Sequence, residues 1–272
     1  MGERVVIIGT GVMGCAVIKG LLAQDPSRAA AIVAVDIDHK KLAEVQRQFG
    51  VGISSSTVEA VAGADLVVLA VKPWQVSAVL TDLAKAWPRH CLLVSIAAGV
   101  RIASLEAFLP DGALVVRAMP NTPATIGAGI TALAGGSNVQ PSHLDRAKAV
   151  LSSLGEVVTV SEAELDAVTG LSGSGPAYVY LFIEALIDAG VREGLARPVA
   201  RQLAVETVLG AAKLVKESEA HPAILKDAVT TPGGTTIAGL AALEQGGFRG
   251  LIFNAVRQAT QVSRALGKGG EK

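Results

Sequence analysis

Short apolar runs punctuate the first half of the chain, and they show no internal alternation. VVII at residues 5–8 is apolar at every position, the pattern of a strand covered on both faces. Similar runs recur at residues 32–35, in ADLVVLAVKP at 64–73, in CLLVSIAAG at 91–99 and in ALVVRAMPN at 113–121, and GITALAGG and GEVVTV add two more before residue 160. Stretches of helical periodicity separate the early runs, which predicts a parallel, doubly wound sheet. Ligands of such sheets bind beyond the carboxyl ends of the strands. That rule gathers Val71, Lys72, Pro73, Ala97, Ala98, Pro120 and Asn121 along one crevice.

Past residue 160 the pattern turns helical. In SGSGPAYVYLFIEALIDAGV, Ser174 reads as an N-cap and Pro176 lies just inside the start. Tyr178, Leu181, Phe182, Ala185, Leu186 and Ala189 follow at helical spacing, and Gly190 reads as the stop. Pro198 opens a long helix to about Lys216 and Pro222 a short one; Thr235 or Thr236 opens another ending near Gly246, and Phe248 begins the last, to about Leu266. The closing GKGGEK predicts a frayed end. These helices carry Ala and Leu on more than one face, more than the first domain alone would cover. The pattern therefore predicts interlocking with a second copy; a compact monomeric cap is the alternative. The fold class expected is α/β, a Rossmann-type doubly wound sheet over residues 1–160 followed by an all-α dimerisation domain over 161–272.

The first strand feeds directly into GTGVMG, residues 9–14, and then a helix. This is G-x-G-x-x-G in its required setting. Gly9 permits the tight turn, Gly11 lets backbone approach a pyrophosphate, and Gly14 lets the helix pack on its strand. The helix start offers free N–H groups and a partial positive charge to the phosphates. Asp36 closes the second run, 22 positions past Gly14, where an acid accepts from a ribose 2′-OH and repels a 2′-phosphate. No arginine follows closely, although Lys40 and Lys41 do, so the pattern favours NADH over NADPH.

Composition narrows the partners. Lys plus Arg equals Asp plus Glu at 24 each, and no basic run stands out, so no nucleic-acid partner is expected. No stretch reaches the ~20 apolar residues of a membrane helix, and VVIIG breaks too early for a signal segment. A cytoplasmic protein without membrane attachment is expected. Cys15 and Cys91 are too few for a disulfide framework and read as small buried fillers, and no Cys/His spacing suggests a metal site.

The histidines narrow the chemistry. His39, His90, His143 and His221 all fall away from strand ends that would face a nicotinamide. Reducing a ketone calls for a proton donor, whereas a protonated imine already carries its proton and needs orientation instead. TTPGGTTIAGL at 230–240 offers that. Gly233 and Gly234 before a helix start form a nest for a carboxylate, while Thr231, Thr235 and Thr236 add donors, one of them for a ring nitrogen. The ligand that fits is a small cyclic imino acid; a plain turn and helix cap is the alternative.

GTGVMG, AVKP, AMPNTP, LSGSGPAYVY and LKDAVTTPGGTTIAGLAALEQGGFRG, in that order along the chain, resemble the pyrroline-5-carboxylate reductases. The resemblance implies NADPH- or NADH-dependent reduction of L-1-pyrroline-5-carboxylate to L-proline, the last step of proline biosynthesis. It implies that Ile8, Gly9, Thr10, Gly11, Val12 and Met13 cradle the pyrophosphate, with Asp36 at the adenosine ribose and Thr57 on the adenine side. Ala70, Val71, Lys72, Pro73, Ile96, Ala97 and Ala98 would line the cofactor, and Asn121 would border the nicotinamide. Thr235 and Thr236 would contact substrate, with Thr236 on the ring nitrogen. Gly233 and Gly234 would hold the carboxylate, and Glu162 would approach the substrate too. The substrate loop is expected to meet the cofactor across an interlocked homodimer, and members of the family often build decamers from dimers. Trp74 is bulkier, and Ala228 less polar, than the pattern leads one to expect. The β-hydroxyacid dehydrogenases are a rival with similar organisation, but they carry a lysine on the first helix after the sheet, and SGSGPAYVYLFIEAL has none. A dinucleotide sensor without turnover is the other rival; it would have no use for the threonine loop.

Overall fold

The computed structural model describes residues 3–269. Eight strands form one sheet: β1 (Val5–Ile8), β2 (Ile32–Val35), β3 (Gly52–Ser54), β4 (Leu66–Leu69), β5 (Leu92–Ser95), β6 (Leu114–Pro120), β7 (Gly129–Gly135) and β8 (Gly155–Thr159). Their spatial order is β3-β2-β1-β4-β5-β6-β7-β8. Six run parallel; β7 pairs antiparallel with β6, and β8 parallel with β7. The reversal follows from a short connection. Between β6 and β7 lies only a 3-10 turn, Thr122–Ile126, closed by Gly127 at φ 72°, whereas a parallel return needs a long crossover. The strand β3 was not foreseen. It is three residues long, begins at Gly52 and is not fully buried, so it lacks the apolar run that marks the others.

The helices between strands are α1 (Val12–Gln24), α2 (His39–Phe49), α3 (Thr57–Val61), α4 (Val76–Ala84), α5 (Ile102–Glu106) and α6 (Pro141–Leu151). They cover both sheet faces, which is why the strands are apolar throughout. Val5 and Ile7 pack into one core with Val17, Leu21, Leu42 and Val150; Val6 and Ile8 pack into the other with Val61, Leu80, Leu83 and Leu105. The packing of α1 depends on Gly14, where an added Cβ would strike the Gly9 carbonyl oxygen.

Six helices follow: α7 (Leu165–Val168), α8 (Gly175–Arg192), α9 (Arg197–Ser218), α10 (Pro222–Ala228), α11 (Thr235–Gln245) and α12 (Phe248–Gly269). Two expectations need correction. Ser174 does not cap α8: its backbone is helical (φ −85°, ψ −21°) and its side chain makes no capping bond, because the chain already runs helically through α7 and a π-helical turn at Thr169–Gly173. Gly190 does not end α8, which continues to Arg192; Gly194 at φ 97° ends it. The role of Gly190 is packing, since an added Cβ would lie 3.1 Å from the Ala200 Cβ of α9. The last helix runs to Gly269, past the onset expected for fraying, and the remainder of GKGGEK lies outside the described residues.

By packing, residues 1–173 and 258–272 form one compact unit and residues 174–257 a second. The first therefore takes in α7 and the end of α12, where the Ser263 hydroxyl donates to Asp166 Oδ1 at 2.7 Å. In the second, α8 packs on α9 and many large apolar side chains stay exposed, among them Tyr180, Leu181, Leu203, Leu209, Leu251 and Phe253. No helix among the described residues is long and apolar enough to cross a membrane.

Candidate functional site

At the carboxyl ends of β1, β2 and β4 lies a cleft of about 340 Å³, lined by Ile8, Gly9, Gly11, Asp36, Thr57, Ala70, Val71 and Lys72, all of them expected, together with Ile37, Asp38, Lys41 and Ser55. The glycine loop shapes its floor. Gly9 takes φ 95°, and an added Cβ would come within 2.7 Å of the Ala70 carbonyl oxygen, so only glycine fits the turn. An added Cβ on Gly11 would meet nothing within 4 Å. The space before that backbone is open, as a group held by main-chain contact requires. Gly11 precedes α1 without any side-chain cap, leaving the N–H groups of the first turn, including those of Val12 and Met13, for an anion. The residues present fit a dinucleotide pyrophosphate.

Thr10 is placed differently from its neighbours. It is buried, and it holds Asp36 rather than lining the cleft. Its N–H and its hydroxyl both donate to Asp36 Oδ2 at 2.8 Å, and the Asp38 N–H donates to Asp36 Oδ1 at 3.0 Å. Burial alone would raise the Asp36 carboxyl; the N–H groups of Thr10 and Asp38, the Thr10 hydroxyl and the Lys41 charge outweigh it and hold the carboxyl below its usual range. Asp36 is thus a fixed anion. The Cys15 thiol, on α1, donates to the Thr10 carbonyl oxygen at 3.2 Å; burial, then the Asp36 charge, pushes its pKa up. Burial pushes Cys91 up to about 12. Both thiols are unpaired.

Other expected residues lie farther along the same sheet edge. Ile96, Ala97 and Ala98 follow β5, whose end is fixed by the Ile96 N–H on the Leu69 carbonyl at 3.0 Å. Asn121 follows β6, and its Oδ1 accepts the Ile130 N–H at 3.0 Å, which secures the return into β7. Pro73 starts a turn after β4; the next residue, Trp74, is 78 % exposed. None of these five lines the cleft described above. Glu162 lies in a separate recess of the same unit with Arg101, Arg117, Asp166 and Arg264. Its Oε1 accepts the Ile102 N–H at 2.6 Å and Arg117 Nη1 at 3.3 Å, and Arg117 is buried.

In the second unit, Gly233 takes φ 63° and Gly234 stands as N-cap of α11 without a side-chain capping bond. The plain-cap alternative requires a threonine oxygen on the first-turn N–H groups, and none is there. Among the described residues, the hydroxyls of Thr231, Thr235 and Thr236 make no hydrogen bond, whereas Thr230 turns back to the Lys226 carbonyl at 2.7 Å. An added Cβ on Gly234 would collide with Thr231 Oγ1. The Gly234 N–H, expected for a carboxylate, is already spent on the Thr231 carbonyl oxygen at 3.1 Å; the loop presents three unspent hydroxyls and the uncapped first-turn N–H groups of α11.

Two histidines serve helix starts: Nδ1 of His143 accepts the Gln140 N–H at 3.1 Å, and Nδ1 of His221 the Ala223 N–H at 3.2 Å. His90 lies 3.3 Å from Asp65, before the start of β5 and so at the opposite sheet edge. Asp38 and Ser55 were not anticipated in the cleft, and Lys41, noted only as following Asp36, lines it as well. Asp38 had a legible signal, an Asp immediately before a helical run, and Ser55 sits in a run of three serines that begins with the last residue of the overlooked β3.

Residues 162–266 match the family described as pyrroline-5-carboxylate reductase dimerisation, and residues 4–99 match NADP oxidoreductase coenzyme F420-dependent. The chain is 48 % identical to a pyrroline-5-carboxylate reductase of Synechocystis sp., with 98 % of this chain and 100 % of that protein covered. Identity to the pyrroline-5-carboxylate reductase of Pseudomonas aeruginosa is 42 %, covering 97 % and 96 %. Among solved structures, a pyrroline-5-carboxylate reductase from Coxiella burnetii aligns with TM-score 0.92 at 34 % identity, covering 97 % of this chain and 98 % of that one. The Plasmodium falciparum pyrroline carboxylate reductase, solved with NADP bound, aligns with TM-score 0.86 at 33 % identity, covering 98 % and 100 %.

Proposed function

This chain belongs to the pyrroline-5-carboxylate reductase family, and from that premise we propose which of its residues carry the reduction of L-1-pyrroline-5-carboxylate to L-proline. The protein is an oxidoreductase acting on a CH–NH bond with NADPH or NADH. The dinucleotide, when bound, supplies the hydride. The ring nitrogen of the protonated imine already carries its proton, so the chain's task is to hold the ring, neutralise its carboxylate and exclude water.

The observation that carries this reading is the uncapped start of α11, with Gly233 in the left-handed region and three free hydroxyls around it. In the proposal the Gly233–Gly234 backbone holds the substrate carboxylate at the uncapped first turn of α11, whose dipole adds to the attraction. Thr231 and Thr235 donate alongside. Thr236 touches the ring nitrogen and is the catalytic residue. Glu162 is assigned to the substrate side on the strength of the resemblance; among the described residues its Oε1 is committed and its Oε2 is not.

Ile8 to Met13, Asp36, Thr57, Ala70 to Pro73, Ile96 to Ala98 and Asn121 are assigned to the dinucleotide. Asp36, fixed by Thr10, supports NADH over NADPH, since a ribose hydroxyl donates to a carboxylate and a 2′-phosphate is repelled by it. Residues 1–160 are assigned to dinucleotide binding and 161–272 to dimerisation and substrate binding. Exposed apolar side chains on α8, α9 and α12 support a homodimer with interlocked helical domains, and decamers built from such dimers belong to the same proposal. Two unpaired thiols support a cytoplasmic setting.

Turnover and dinucleotide binding in Thr236→Ala test the assignment. Turnover is expected to fall about a hundredfold, within the range for loss of one positioned polar group, with NADH affinity unchanged. Wild-type turnover by the folded variant would refute the role of Thr236.

A further inference from the structure

Resting on the NADH reading above, we propose that Asp38 is a second specificity residue, forming with Asp36 a two-carboxylate filter that rejects a 2′-phosphorylated dinucleotide. Both acids line the same cleft. They sit two positions apart and are tied together, Asp36 Oδ1 accepting the Asp38 N–H at 3.0 Å. Ile37 between them is 83 % exposed.

The second carboxylate acts through the helix it caps. Asp38 Oδ1 accepts the N–H groups of Lys40 at 2.9 Å and Lys41 at 3.3 Å. Those are donors of the first turn of α2, which starts at this wall of the cleft. An uncapped helix start there would be a ready receptor for a phosphate. Here the receptor is filled from within the chain, and the filling group is itself an anion. A 2′-phosphate arriving at Asp36 would carry about −1.5 to −2 charges and would meet two fixed carboxylates and no open N–H pair. A 2′-hydroxyl only has to donate one proton.

The cations nearby do not reverse this. Lys41 and Lys72 line the same cleft, so the formal charges of its lining residues balance. His39 and Lys40, also in the first turn of α2, are exposed and outside that lining. A site built for a 2′-phosphate places cations in excess.

Fluorescence titration with NADH and with NADPH, without substrate, tests the proposal in wild type, Asp38→Ser and Asp38→Asn. Serine and asparagine both keep an N-cap oxygen, and thermal unfolding checks that α2 survives. The wild type is expected to bind NADH more tightly. Each variant is expected to bind NADPH about tenfold more tightly than wild type does, equivalent to ~1.4 kcal/mol, with NADH affinity little changed. A wild type that binds NADPH as well as NADH would refute the NADH reading and the filter with it. A selective wild type whose Asp38 variants keep the same affinity ratio would refute the role of Asp38 alone and leave the filter to Asp36.

Discussion

Thr10 reaches Asp36 twice, by its backbone N–H and by its hydroxyl, each 2.8 Å from the same carboxylate oxygen. The first of these residues belongs to the glycine loop after β1 and the second follows β2, so the pair ties the glycine loop to the end of β2. Replacing Thr10 by Val removes the hydroxyl and keeps the N–H. A lost hydrogen bond to a charged group costs about 1.5–3 kcal/mol. The variant is expected to lose stability of that order and to bind NADH more weakly, while Thr10→Ser restores both. Thermal unfolding and an NADH titration of the two variants check this; equal behaviour of Thr10→Val and wild type would show that the hydroxyl contributes nothing.

Two glycines of the same loop separate packing from binding. At Gly14 an added Cβ runs into the Gly9 carbonyl, so Gly14→Ala is expected to cost on the order of 3 kcal/mol by overpacking. At Gly11 an added Cβ meets nothing within 4 Å. Gly11→Ala should therefore keep the wild-type melting temperature and lose dinucleotide affinity. Melting curves and titrations of both variants read the contrast.

Asp36 also predicts an acid response. Its folded carboxyl lies below the usual range, despite burial, because of its hydrogen bonds and Lys41. The unfolded value is about 3.9. The stabilisation it gives is therefore complete above about pH 4 and is lost as pH falls through the folded value. Asp36→Asn should lose less stability than wild type between about pH 5 and pH 2. Denaturant midpoints across that interval check it, and equal losses would contradict the assignment.

The fold was legible where physics leaves a strong local mark. Strands covered on both faces had to be apolar at every position, and Gly9 and Gly14 had to be glycine because the Ala70 carbonyl crowds the first and the Gly9 carbonyl the second. Strand β3 left no such mark, being short and partly exposed. Ser174 misled because a cap signal means little when the chain enters the helix already helical. Gly190 misled because close packing on Ala200 selects glycine as strongly as a helix end does. Within the candidate site, residue types announced Asp36 and the threonine loop. What the sequence hid was partnership: that Thr10 turns inward to hold Asp36, and that the Asp38 carboxylate plugs the start of α2.

Oxidation of NADH and NADPH, run in parallel with L-1-pyrroline-5-carboxylate as substrate, tests the assigned reaction most directly. Rapid oxidation with formation of proline is expected, with a higher kcat/KM for NADH. No oxidation of either dinucleotide by folded protein that binds one would contradict it, and would leave the threonine loop to a different substrate or to a sensor without turnover.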